Sequence, residues 1–357
     1  MSKDPRASRS TRCRVRRIWA GSWRWRRVLL ALITSAALAG ISAWLMLAPL
    51  EPGSDRQVLL TIPPGATSRD VAVLLEREGL IRDQFFFRLL LRFRGDDVAL
   101  KAGEYRLGPA MSTYEIVSHL LRGHVVHYPV TIPEGLTVRQ AMNLLAERGW
   151  GDLDSFLALL DDPRLRPAWL PADAQIREPL EGYLFPDTYL LPRGVTEFQI
   201  LATMRARMDS LVTAEFVERT RELGMEVHQV MTLASMIERE AQVADERPLI
   251  AAVFHNRLKK SIKLDSCATV IYALARTGRD PLTLADLEVD SPYNTYRYAG
   301  LPPGPIAAPG QASLQAALYP ADVKYLYFVS RGDGSHVFSF TLAEHERNAA
   351  KYGAGFR

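Results

Sequence analysis

Two glutamates, Glu238 and Glu240, stand at the end of the segment LASMIERE. A carboxyl group can give a proton to a leaving oxygen and take one from an attacking hydroxyl, so each is a candidate general acid and base. Residues 228–244 predict one helix, because Val230, Leu233, Ala234, Ile237, Ala241 and Ala244 recur at three- and four-residue steps. Two positions apart on a helix means about 200° of rotation, so the two carboxyls cannot face one substrate as an adjacent pair. Ideal geometry sets Glu240 slightly nearer the centre of the apolar face, and periodicity alone does not choose between them. Asn256 and Arg257 follow in FHNRL, and Asp265 stands just before Cys267. Glu181 and Tyr183 lie in an aromatic, turn-rich block, and Tyr293-Asn294-Thr295-Tyr296 precedes a Pro-Gly run that fixes a tight path. The 7 histidines are scattered, with no HExxH and no cysteine cluster, so neither a metal nor another cofactor is indicated.

The elements that position these groups begin with a repeat. Thr61-Ile62-Pro63-Pro64-Gly65 returns as Thr131-Ile132-Pro133-Glu134-Gly135, each after an apolar strand-like run and before an amphipathic helix. Thr67 and Thr137 are the expected N-caps, since a hydroxyl there accepts an orphan backbone N–H. Residues 104–107 read as a strand, and Ser112 with Glu115 forms the signature of a capped helix over 113–121. A helical pattern covers 156–160, Pro163, Pro167 and Pro171 break the chain, and 196–222 read as one long amphipathic helix.

The net charge of +4 conceals an asymmetry: residues 1–27 carry 10 Lys or Arg against Asp4 alone, while the rest carries 34 basic and 39 acidic side chains. The body therefore gives no basic signal for nucleic acid. Residues 28–50 are 23 residues without a charge, long enough to cross a bilayer as a helix, with Trp19, Trp23, Trp25 and Trp44 near interface depth. The positive-inside rule then puts the N-terminus in the cytoplasm and the remainder outside. A cleaved signal is the alternative, but the run exceeds the usual apolar region of one. Cys13 and Cys267 would lie on opposite sides of the membrane and could not pair.

Taken together, the tandem IPPG and IPEG turns, LKAGEYRL, LEGYLFPDTY, LASMIERE, ATVIYAL, SPYNTYRYAGLPPGPIAAPG and YLYFVSRGDGSHVFSFTLAEH resemble the endolytic murein transglycosylases of the YceG-like group. The resemblance implies an α+β chain: a basic arm (1–27), a transmembrane helix (28–50), a linker (51–57) and a LysM-like α+β module (58–125). A mixed α/β catalytic domain (126–349) and a tail (350–357) would follow, with the second turn–helix unit at 130–150. It implies an inner-membrane protein with its large domain outside the cytoplasm, acting on peptidoglycan glycan strands beside the peptidoglycan synthases.

The resemblance further implies Glu238 as the catalytic residue, with Glu240 as the alternative or as a structural partner of Arg247 or Arg239. In lytic cleavage one carboxylic acid protonates the glycosidic oxygen, and the sugar's own C6 hydroxyl attacks C1. The product is a 1,6-anhydro end, so one carboxyl suffices where a glycosidase needs two. Tyr293, Asn294, Thr295, Tyr296, Glu181 and Tyr183 are then expected to contact the glycan, and Asn256 and Arg257 to brace Glu238 or touch substrate. One segment departs from the family pattern of Gln-Ser-Asp-Pro-Thr: Cys267 stands at the Asp position and Ala268 at the Pro, with Asp265 a candidate displaced carboxylate. A non-catalytic glycan-binding scaffold is the competing function, and a hydrolase of the same substrate a third.

Overall fold

The structure, a computed structural model, describes residues 16–94, 100–172, 174, 176–276 and 282–352. Cys13 lies outside them, as do the side chains of Trp19 and Trp23. The chain divides into two compact units, residues 1–126 and 127–357.

The first unit opens with helix α1 (Arg16–Leu47). Its stretch Trp25–Leu47 is long and apolar enough to cross a membrane, and none of it is buried, which is consistent with a single span. The helix stops before Pro49, three residues short of the expected 50, because proline cannot continue the backbone ladder. Residues 49–51 are tied to the unit. Arg82 Nη2 donates to the carbonyls of Pro49 (2.9 Å) and Leu50 (3.2 Å), and Glu51 N donates to Pro109 O (3.0 Å).

Strand β1 (Val58–Ile62) then leads through the Pro-Gly turn into α2 (Ser68–Arg77), α3 (Gln84–Arg94), β2 (Gly103–Leu107) and α4 (Thr113–Arg122). β1 and β2 pair antiparallel, with Leu60 opposite Tyr105. Their inward side chains join Val71, Leu75, Phe87, Leu91, Ile116 and Leu120 in one core. The caps are as read from the sequence: Thr67 with Asp70 and Ser112 with Glu115 both form capping boxes.

The second unit starts by repeating this plan. β3 (His127–Thr131), α5 (Val138–Glu147), α6 (Leu153–Ala158), β4 (Thr188–Pro192) and α7 (Glu197–Leu211) follow the same strand–helix–helix–strand–helix order, and β3 and β4 pair antiparallel. The duplication thus runs well beyond the short repeat visible in sequence. Capping boxes recur at Thr137 with Gln140 and at Thr196 with Gln199.

The expected single helix over 196–222 is two: α7 ends at Leu211 and α8 (Ala214–Glu222) restarts, because the Thr213 hydroxyl accepts from Phe216 N and caps a new helix. The expected helix over 228–244 also ends early. α9 (Val227–Glu240) gives way at Ala241, whose backbone is extended, and a short 3-10 turn over Ala244–Glu246 leads into α10 (Arg247–Lys259), with Pro248 in its first turn. α11 (Cys267–Ala273), α12 (Gln311–Leu318), the hairpin of β5 (Tyr327–Ser330) and β6 (His336–Ser339), and α13 (Leu342–Tyr352) complete the unit. α9 runs through the middle of the core, with Val230, Met231, Leu233, Ala234, Met236 and Ile237 all inaccessible to solvent.

Candidate active site

α9 delivers its two glutamates to different surroundings, as the rotation between them requires. The Glu238 side chain is only 7 % exposed. Its Oε2 accepts from Gly310 N (3.0 Å) and Ser313 Oγ (2.7 Å), and Arg247 Nη2 stands 3.7 Å from Oε1. Arg247 Nε also donates to Ser313 Oγ (3.2 Å), so arginine, serine and carboxylate form one network. Gly310 caps α12, and the helix start adds its partial positive charge to the carboxyl's surroundings.

The second copy of the Pro-Gly turn closes over this point. Gly135 N donates to Ala308 O (2.8 Å), Ala308 N donates to Leu136 O (2.8 Å), and Arg239 Nη1 donates to Gly135 O (3.0 Å). The neighbouring Glu134 carboxyl lies against Gly310: a Cβ added there would meet Glu134 Oε1 at 2.0 Å. Gly310 thus holds Glu238 on its N–H and makes room for Glu134 over its Cα. Burial, followed by the negative charge of Glu238, raises the Glu134 carboxyl above its ordinary value.

Glu240 pairs with neither Arg247 nor Arg239, which serve Glu238 and the Gly135 carbonyl. It accepts instead from Ser266 Oγ (2.5 Å), and burial raises its carboxyl. Beside it, Cys267 Sγ and Tyr296 Oη lie 3.2 Å apart, and burial pushes the free thiol up as well.

Asn256 and Arg257 do not brace Glu238. Asn256 Nδ2 donates to Val323 O (2.8 Å) and Tyr325 O (3.0 Å). Arg257 donates to the carbonyls of Leu326, Lys263 and Leu264 and to Asp265 Oδ2 (2.9 Å). Asn256 thus ties α10 to the segment before β5, and Arg257 ties α10 to that segment and to residues 263–265. Asp265 is spent in that ion pair, and burial raises its carboxyl while the Arg257 charge opposes the rise.

Most residues expected to line a glycan cleft are inside the protein. Tyr293 (4 %), Asn294 (0 %) and Thr295 (1 %) have almost no accessible surface. Tyr293 Oη accepts from Arg177 N, Asn294 Nδ2 donates to Leu287 O and Val289 O, and Thr295 Oγ1 accepts from Ser266 N, so they build the loop and offer no face. Tyr296 alone of the four keeps accessible surface. Glu181 is buried and accepts from Val138 N (3.0 Å) at the start of α5, and burial pushes its carboxyl from 4.5 up to about 8. Tyr183 is also buried. His228 Nε2 faces Pro303 O (2.7 Å) and so carries the ring proton, leaving Nδ1 to accept from the Tyr183 hydroxyl (2.5 Å).

A cavity of about 550 Å³ is lined by His228, Gln229, Thr232, His255, Pro302 and Pro303. It opens at the start of α9, about 15 Å along the helix from Glu238, and takes no part in the network. Among the described residues no group of His, Cys, Asp and Glu could hold a metal ion. Sequence reading missed Ser313, Gly310 and Glu134, and linked Arg247 to the wrong carboxyl. One signal was present for Glu134: it replaces the Pro64 of the first turn.

The profile of the YceG-like family matches residues 60–351. The endolytic murein transglycosylase of Bacillus subtilis (strain 168) is 34 % identical over 332 residues, 90 % of this chain and 91 % of that protein. The endolytic murein transglycosylase of Streptococcus pneumoniae serotype 2 is 30 % identical over 355 residues, 91 % of this chain and 64 % of its own length. A crystal structure of a YceG-like protein from Listeria monocytogenes superposes with a TM-score of 0.57 at 37 % identity, covering 83 % of this chain and all of that one. With the family profile over residues 60–351 and these relatives in agreement, the chain belongs to the YceG-like family.

Proposed function

We propose that this protein is a membrane-anchored lytic transglycosylase that cuts peptidoglycan glycan strands between N-acetylmuramic acid and N-acetylglucosamine, with Glu238 as the acid and base. The observation that carries the reading is the Glu238 network. A carboxyl at the end of a buried helix is fixed by Gly310 N, Ser313 Oγ and Arg247, beside the 131–135 turn. The names of the relatives supply the substrate class.

The acid gives its proton to the glycosidic oxygen, and the C1–O bond breaks as positive charge builds at C1. The muramic acid C6 hydroxyl then attacks C1, and its proton returns to the carboxylate. Bond making equals bond breaking, no water is consumed, and the product ends in a 1,6-anhydro sugar. Tyr296 is the residue of the 293–296 loop best placed to meet a sugar ring, because it alone of the four is reachable. In this reading the first unit is a LysM-like glycan-holding module. The arginine-rich arm sets the N-terminus in the cytoplasm and the enzyme outside, and peptidoglycan synthases are the partners that would supply nascent strands.

The test is mass analysis of muropeptides after the full-length protein, in detergent micelles, acts on purified glycan strands. Wild type should yield anhydro ends, and Glu238→Gln should lose about 10²–10⁴-fold in rate. Activity surviving in Glu238→Gln would transfer the role to Glu240, whose burial raises its carboxyl. Reducing ends in place of anhydro ends would make the enzyme a hydrolase.

A further inference from the structure

We propose that Glu134 is a second catalytic carboxyl, which stands with Glu238 at Gly310 and faces the glycan from the open side of the site. The inference rests on the reading of Glu238 above and deepens it.

Three observations carry it. The first is position. Gly310 N donates to Glu238 Oε2 at 3.0 Å, and the Glu134 carboxyl atoms lie 2.0–2.5 Å from where a Gly310 Cβ would be. Only glycine at 310 lets both carboxyls converge there.

The second is contrast in how the two are held. Glu238 is buried and bonded to a backbone N–H and a hydroxyl, with a guanidinium beside it. Glu134 keeps accessible surface although its carboxyl is partly desolvated against Gly310, and among the described residues no hydrogen bond or ion pair ties that carboxyl down. A loose, accessible carboxyl beside a fixed, buried one is a pair set in two environments, which is how one fold assigns a mobile proton and a standing charge. The third is that the turn is rigidly docked. Gly135 is bonded to Ala308 and to Arg239, so Glu134 is presented to the site by a fixed backbone.

The charged groups facing Glu134 are Glu238 and Arg247, and Arg239 is bonded to the adjacent carbonyl. In the reaction Glu238 gives its proton to the glycosidic oxygen as the C1–O bond breaks. The Glu134 carboxylate lies beside it against the positive charge at C1, and Glu238 then regains one proton from the attacking C6 hydroxyl. It ends as it began.

The test compares kcat, KM and the pH profile of full-length wild type, Glu134→Gln, Glu134→Asp and Glu238→Gln on purified glycan strands in detergent micelles. Glu134→Gln is expected to lower kcat at least about tenfold with KM changed less than about twofold, and to remove one limb of the kcat–pH profile. Glu134→Asp should recover part of the rate. Wild-type kcat and an unaltered pH profile in Glu134→Gln, alongside an inactive Glu238→Gln, would overturn the pair and leave Glu238 standing. Full activity in Glu238→Gln would instead remove the reading on which the pair depends. Should Glu134→Gln melt at a lower temperature, Gly310→Ala supplies an independent perturbation. It pushes the Glu134 carboxyl aside without altering it chemically, and unchanged kcat there would overturn the proposal as well.

Discussion

At the turn of the first unit nothing lies within 4 Å of where a Cβ on Gly65 would be. At the matching turn of the second, Gly135 has Glu238 Cγ at 3.8 Å and the Arg239 side chain beside it. Both glycines have positive φ, 79° and 75°, and both turns run into a helix capped by threonine. The local structures are thus the same, because the same residue types meet the same backbone requirement. Their uses differ through one substitution and one neighbour. Pro64 stands in the open, whereas Glu134 stands against Gly310. A duplicated scaffold has kept its shape in both places and, on the proposal above, serves chemistry in one.

Exchanging the distinguishing residues tests this most directly. Glu134→Pro places at the second turn what the first already accommodates, so the fold should persist while the glycan-cutting rate falls at least about tenfold. Pro64→Glu should leave that rate within about twofold of wild type. Equal effects of the two exchanges would erase the distinction between the copies.

A second difference is in how the following helices begin. α5 receives a buried carboxyl from Glu181, bonded to Val138 N, and α2 has no counterpart of it among the described residues. Because burial raises Glu181 from 4.5 to about 8, the folded state keeps its proton where the unfolded chain has lost it. Its contribution is therefore fully present below pH 4.5 and drains away as pH rises towards 8. Glu181→Gln cannot ionise and should flatten this slope. Thermal melts at pH 5 and pH 8 should differ less in the variant, by an amount on the order of a few kcal/mol.

The smallest effect separates the capping boxes. Thr67 is paired with Asp70, which titrates, and Thr137 with Gln140, which does not. Hydrogen bonds from the Thr67 side chain and backbone hold the Asp70 carboxyl below its usual range. Its contribution exists above the unfolded value and is lost as pH falls through the folded one. Amide exchange in the first turn of α2 should accelerate on acidification while that of α5 does not, and Asp70→Asn should remove the contrast.

The parts of this molecule legible in sequence are those decided within a few residues. Thr67, Ser112 and Thr137 announce their caps because the acceptor and the donor it serves are three positions apart. The turn glycines and the apolar run of α1 are equally local. The break at Val212-Thr213 was legible in principle, since Thr213 is a strong cap, but the apolar period continues across it and masks the restart. The burial of Asn294 and Thr295 was not legible. Their polar side chains are consumed by the carbonyls of Leu287 and Val289 and by Ser266 and Thr269, contacts set by how distant segments pack. Glu134 is the same case from the other side. Its meaning depends on Gly310, and no periodicity links a turn to a helix start so far along the chain.

The clamp between Arg82 and the carbonyls of Pro49 and Leu50 bears on how the first unit is carried. A swinging tether would let that unit sweep a hemisphere above its anchor. Pinned within a few residues of the end of α1, it has almost no leash. Where α1 crosses a bilayer, the unit is carried at a fixed height and travels only as fast as the anchor drifts in the plane. Its encounters then become a matter of lateral diffusion across a thin layer, and material lying farther out has to come to it.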